Sequence, residues 1–147
     1  MITTVFFDLD GTLLPMELDS FLETYFDLLI KKLSAHGYDA ESTTNGMWES
    51  LFAMLNNDGS RTNEEAFWDR FSQEVGKDAR SDMAIFQDFY KNEFHGTKVA
   101  CGFDPKAVNT VVAVKARGLR VVLATNPLYP AIATENRIRW AGFDPED

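Results

Sequence analysis

The most constraining feature of this chain lies at its start. A short β-branched and aromatic run, Ile2-Thr3-Thr4-Val5-Phe6-Phe7, leads without a break into Asp8-Leu9-Asp10-Gly11-Thr12-Leu13-Leu14. The run reads as a buried strand, and the polar, glycine-containing stretch as the loop that ends it. Two carboxylates one residue apart at a strand end can both face a ligand if the chain turns there, and Gly11 permits the turn. An Asp-x-Asp pair by itself also serves as an ordinary turn or helix cap. The signal here is the longer string, an apolar strand running directly into two acids, a glycine and a threonine. A calcium-binding EF-hand loop is a poor rival, because it needs further oxygen ligands at fixed later positions and a closing Glu. Here the chain turns apolar after Thr12.

Such a pair suits phosphoryl chemistry. One carboxylate can attack phosphorus and carry the phosphoryl group, which splits a hard hydrolysis into two easier steps. The other can protonate the leaving oxygen and later deprotonate the attacking water. Both carboxylates and the phosphate are negative, so a hard divalent cation is needed to hold them together. Mg²⁺ suits oxygen ligands shared with a phosphate.

From Glu17 the apolar period changes from that of a strand to that of a helix. Leu18, Phe21, Leu22, Tyr25, Phe26, Leu29 and Leu33 recur at steps of three and four, which predicts a helix stopped at Gly37. After a polar stretch over 38–45, Trp48, Leu51, Phe52 and Leu55 mark a second helix. Thr62 with Glu65 forms a capping-box pattern ahead of Phe67, Phe71 and Val75, and Gly76 follows. A fourth helix is predicted over about 81–94, with Ile85, Phe86, Phe89 and Tyr90 turned inward. The aromatics at helical spacing read as core. Residues 17–98 are thus expected to form a four-helix insert, with residues 1–16 and 99–147 as the domain it interrupts.

Beyond Gly102, Asp104-Pro105 is a good cap and first-turn pair for a helix through Val108, Val111, Val112 and Lys115, closed by Gly118. Arg120-Val121-Val122-Leu123-Ala124 reads as a second buried strand ending in Thr125-Asn126-Pro127, and a further helix is predicted over 130–140. Strands ending in polar loops with helices between them imply an α/β fold with a parallel sheet. Ligands bind such sheets beyond the carboxyl ends of the strands. The loops at 8–12 and 125–126 both fall at that edge. There the Thr125 hydroxyl, the nearby main-chain N–H groups and the Asn126 amide can donate to phosphate oxygens.

Asp8-Leu9-Asp10-Gly11-Thr12-Leu13-Leu14 resembles the first signature motif of the haloacid dehalogenase (HAD) superfamily, and Val121 to Asn126 resembles the second. The resemblance implies a Rossmann-like core with an inserted helical cap, and a Mg²⁺-dependent phosphohydrolase acting on a small phosphorylated metabolite through an aspartyl-phosphate. It implies Asp8 as nucleophile and Asp10 as general acid/base. Mg²⁺ would be held by the Asp8 carboxylate and the Asp10 main-chain carbonyl. Thr125, with Asn126, Gly11 and Thr12, would lie along the phosphoryl site, Thr12 supporting the loop. A phosphomutase, using the same two carboxylates, is an alternative. A dehalogenase is another, although it has no use for a second acid at Asp10. A non-catalytic module of the same fold is a third.

The family's third motif, a Lys or Arg, and its fourth, an acidic pair, are not readable. Lys98, Lys106, Lys115 and Arg137 are the nearby cations, and none sits in the expected context. Asp144, Glu146 and Asp147 read as a solvated tail. Only two strands are apparent, and two parallel strands leave exposed edges and a poor core. The chain is therefore expected to lack a C-terminal part or to be completed by another chain, and as it stands to be inactive or very weak.

The formal net charge of −9 disfavours nucleic acid and anionic lipid as partners. The N-terminus has neither the basic region of a signal peptide nor a long apolar run. The single cysteine, Cys101, precludes an internal disulfide and reads as a small buried hydrophobe. Together these fit a cytoplasmic protein. His36 and His95 fall near helix ends, where a capping role is expected.

Overall fold

The computed structural model describes residues 1–146; Asp147, assigned above to the solvated tail, lies outside the described residues. The element order is β1 (Thr4–Phe7), α1 (Leu18–Ser34), α2 (Ala40–Leu55), α3 (Asn63–Val75), α4 (Met83–Lys91), α5 (Pro105–Ala116), β2 (Arg120–Leu123) and α6 (Ala131–Trp140). Short 3-10 helices at Ala79–Asp82 and Glu93–Ala100 flank α4. The fold is α/β, with a small parallel sheet and a helical insertion between its strands. No described helix is long and apolar enough to cross a membrane.

Two compact units divide the chain. The first break falls inside α1, between Thr24 and Tyr25, and the second between His95 and Gly96. The sheet unit comprises the two terminal segments, and the helical unit the residues between.

In the sheet unit, β1 and β2 pair in parallel with Thr4 opposite Arg120 and Phe7 opposite Leu123. The ladder runs one bond further, the Ala124 N–H donating to the Phe7 carbonyl at 2.8 Å. Leu9, Leu13, Leu14, Val111 and Ala141 form the core, with Phe7, Val121 and Leu123 of the sheet packed against them. Residues of a strand alternate between faces, and Phe6, which points the other way, is 66% exposed. Among the described residues, the Phe6 side of the sheet is thus left largely open. Within this unit Met16 and Cys101 form an antiparallel bridge, and beside it the Gly102 N–H donates to the Pro15 carbonyl at 2.7 Å. Asp104 caps α5 through the Lys106 N–H, with Pro105 in the first turn.

The helical unit has an aromatic core of Tyr25, Phe26, Trp68, Phe71, Phe86, Phe89, Tyr90 and Phe94. The Thr62–Glu65 capping box is complete, and Gly76 ends α3 in the left-handed conformation. Two expectations are corrected here. Helix α2 begins at Ala40, inside the polar stretch, because Asp39 caps it and the Thr43 and Thr44 hydroxyls bond back to carbonyls one turn earlier. Its buried face is Thr43, Gly46, Met47 and Ser50, while Trp48, Phe52 and Leu55 are 41%, 51% and 51% exposed. The apolar period located the helix but not its inner face. Gly46 explains the choice: a Cβ there would stand 2.9 Å from the ring of Phe71, so α2 and α3 meet at a side-chain-free position. The predicted fourth helix is also shorter than 81–94, since 3-10 turns replace its two ends.

Candidate active site

The loop after β1 is shaped by its own backbone and by three leucines. The Leu9 carbonyl accepts from the N–H groups of both Thr12 and Leu14, at 3.1 and 2.9 Å, and the Gly11 N–H donates to the Leu14 carbonyl at 2.9 Å. Gly11 has φ of +76°, the left-handed region where glycine alone is unstrained. Leu9, Leu13 and Leu14 are buried. Drawing them inward leaves Asp8 on the exposed side of the turn, where the Thr12 hydroxyl donates to its Oδ2 at 3.3 Å.

Asp10 is held differently. Its side chain is 24% exposed, and its Oδ2 is bonded to Nη1 of Arg137, whose side chain is completely buried. The other oxygen, Oδ1, is buried without a hydrogen-bond partner. Burial pushes the Asp10 carboxyl above its ordinary value; the adjacent Arg137 opposes that rise, and the negative charge of Asp8 adds to it. Two neighbouring carboxylates in unlike environments are the pattern expected of a nucleophile and an acid/base.

The strand register puts the second loop at the same edge of the sheet. Phe7 lies opposite Leu123, so Asp8 and Ala124 are the next residues on their strands and Thr125 is one further along. Thr125 is half-buried and Asn126 exposed, and the Asn126 carbonyl accepts from the Leu128 N–H at 2.9 Å in a tight turn ahead of α6. Asp8, Asp10, Gly11 and Thr12 share one turn, and Thr125 and Asn126 sit on the neighbouring one.

Arg137 is the residue that the sequence reading passed over. It projects from the inner face of α6 between Ala133 and Ala141, which are 0% and 1% exposed. Its Nε donates to the Ala133 carbonyl and its Nη2 to the Thr134 hydroxyl, both at 3.3 Å. The Tyr129 ring lies 4.3 Å from its Cζ, and that ring meets Phe21 edge-on at 6.1 Å. The available signal was the i, i+4, i+8 spacing of Ala133, Arg137 and Ala141, which places a charge between two small residues on one helix face. Cys101 is no rival nucleophile, since burial pushes its thiol up to about 11.

The donors present suit a hard cation. Asp8 offers an exposed carboxylate oxygen. Mg²⁺ is commonly held by one or two carboxylates, with water and phosphate oxygens completing its shell. Among the described residues, no three or more His, Cys, Asp or Glu side chains gather as a metal cluster.

The family model for haloacid dehalogenase-like hydrolases matches residues 5–134, which span both loops. No match was found among curated proteins or among solved structures.

Proposed function

Because this chain belongs to the haloacid dehalogenase-like hydrolase family, we propose that it is a Mg²⁺-dependent phosphohydrolase acting on a small phosphorylated metabolite. The observation that carries this reading is the unlike treatment of two carboxylates on one turn. Asp8 is exposed beside the Thr12 hydroxyl, and Asp10 is half-buried against Arg137.

The Asp8 carboxylate attacks phosphorus and the bond from phosphorus to the ester oxygen breaks. Asp10 gives its proton to that leaving oxygen, and the phosphoryl group remains on Asp8 as an aspartyl-phosphate. In the second step Asp10 takes a proton from water as the water oxygen attacks phosphorus. The bond to Asp8 then breaks, inorganic phosphate leaves, and both side chains return to their starting states. Thr125 and Asn126 hold the phosphoryl oxygens. The Asp8 carboxylate and the Asp10 main-chain carbonyl would hold Mg²⁺, which supplies charge neutralisation for the approach of carboxylate to phosphate.

Asp8→Asn tests the reading in the complete gene product, assayed against a panel of phosphorylated metabolites with and without Mg²⁺. Turnover should be abolished, because an amide cannot act as the attacking carboxylate. Unchanged rates would refute the assignment.

A further inference from the structure

We infer that Leu18 and Val99 line the leaving-group side of the phosphoryl site, and that the substrate is the phosphate ester of an uncharged alcohol with an apolar carbon chain, not a phosphorylated polyol. This rests on the phosphohydrolase reading above and narrows its substrate class.

The start of α1 is tied to both loops of the site. The Met16 carbonyl lies 4.0 Å from the point that a Cβ on Gly11 would occupy, so the chain entering α1 runs beside the Asp8 turn. One turn into the helix, the fully buried Phe21 meets the Tyr129 ring edge-on at 6.1 Å, and Tyr129 follows Thr125 and Asn126 in the second loop. Leu18 stands between these two anchors. It precedes Phe21 by three residues, so the two share a helix face. All of these residues belong to the sheet unit.

An isolated exposed leucine is ordinary, but the setting of Leu18 is not. Its helix face is buried at Phe21 and Leu22, and Leu18 carries the same apolar stripe out to 57% exposure where it reaches the loops. Off the stripe, Glu17, Asp19, Ser20 and Glu23 are exposed and polar. Val99 adds a second apolar side chain. Leu18 and Val99 each lie two residues beyond the Met16–Cys101 antiparallel bridge, on the same side of it, and Val99 is 83% exposed. These two side chains offer a leaving group apolar contact and no hydrogen bonds. The hydroxyls of a polyol would lose water against them without compensation. Glu17 and Asp19, on either side of Leu18, repel a second anionic group. An uncharged apolar leaving group meets both conditions.

The test compares n-propyl phosphate with glycerol 3-phosphate, which share a three-carbon chain and a phosphate and differ by two hydroxyls. With Mg²⁺ present, kcat and KM are measured for both in the complete gene product, in the parent and in Leu18→Ala, Leu18→Gln and Val99→Gln, with thermal unfolding followed for each. The parent should favour propyl phosphate by at least about tenfold in kcat/KM. Leu18→Gln should cut that preference about tenfold, and Leu18→Ala and Val99→Gln by smaller factors. The change should come mainly as a raised KM for propyl phosphate, because an apolar contact is made in the ground state and the transition state alike. Where a Leu18 variant fails to fold, Val99→Gln carries the same comparison. A parent preference for glycerol 3-phosphate, equal rates on the two esters, or activity confined to polyol phosphates would overturn the inference. So would a preference that none of the substitutions moves, the result expected if another protein covered the patch. Asp8→Asn separates the two failures. If it is inactive on the esters that the parent hydrolyses while the preference fails, only the apolar subsite falls. If the parent hydrolyses no ester, or Asp8→Asn matches it, the phosphohydrolase reading falls and this inference with it.

Discussion

The two units of the chain treat charge in opposite ways. The helical unit has an aromatic interior and keeps its arginine pairs toward solvent: Arg80 with Asp69, Arg61 with Asp69, and Arg70 with Glu49 are substantially exposed, while Lys32 is more covered but pairs with the exposed carboxylates of Asp88 and Glu93. The sheet unit has a smaller, aliphatic interior, yet brings Arg137 and most of Asp10 into it. Exposed pairs contribute little to stability, whereas a buried pair costs desolvation that its attraction only partly offsets. The helical unit is built as packing requires. The sheet unit accepts an electrostatic cost beside the Asp8 turn, and perturbed charges of this kind gather at functional sites.

Three substitutions sharpen or break that contrast. The largest effect belongs to the aromatic interior. Phe71 is fully buried, stacks on Phe67 and meets Phe86 edge-on, so Phe71→Ala should cost about 3–5 kcal/mol in denaturant unfolding. Arg137→Met should follow at about 3 kcal/mol, because it strands Asp10 without its partner, and adding Asp10→Asn should recover much of that loss. Arg80→Ala should be smallest, since it removes only surface pairs. A loss from Arg80→Ala as large as that from Arg137→Met would erase the contrast.

How much of this could be read in the sequence depended on what the signal measured. Local chemistry was legible. Asp8 to Leu14, the Thr62–Glu65 box, the Asp104-Pro105 start and the glycine stops each encode their structure within a few residues, and both strands announced themselves by composition. Facing was less legible. In α2 the apolar residues Trp48, Phe52 and Leu55 lie outside while Thr43, Gly46 and Ser50 lie inside, because the close approach of Phe71 selects for lack of bulk and not for hydrophobicity. The Asp10–Arg137 pair joins residues 127 positions apart, and no local pattern specifies such a contact. Arg137 was visible as a cation, but its partner is set only when α6 packs behind the first loop.

The central claim is that Asp8 carries the phosphoryl group, and chemical trapping tests it most directly. The complete gene product is incubated with Mg²⁺ and a phosphorylated metabolite that it turns over, then reduced with borohydride, and the N-terminal peptide is weighed by mass spectrometry. An acyl phosphate at position 8 would be reduced to homoserine, so the account predicts that mass change at Asp8, absent without substrate and absent in Asp8→Asn. Steady turnover with Asp8 left unreduced, or reduction at a different carboxylate, would contradict it.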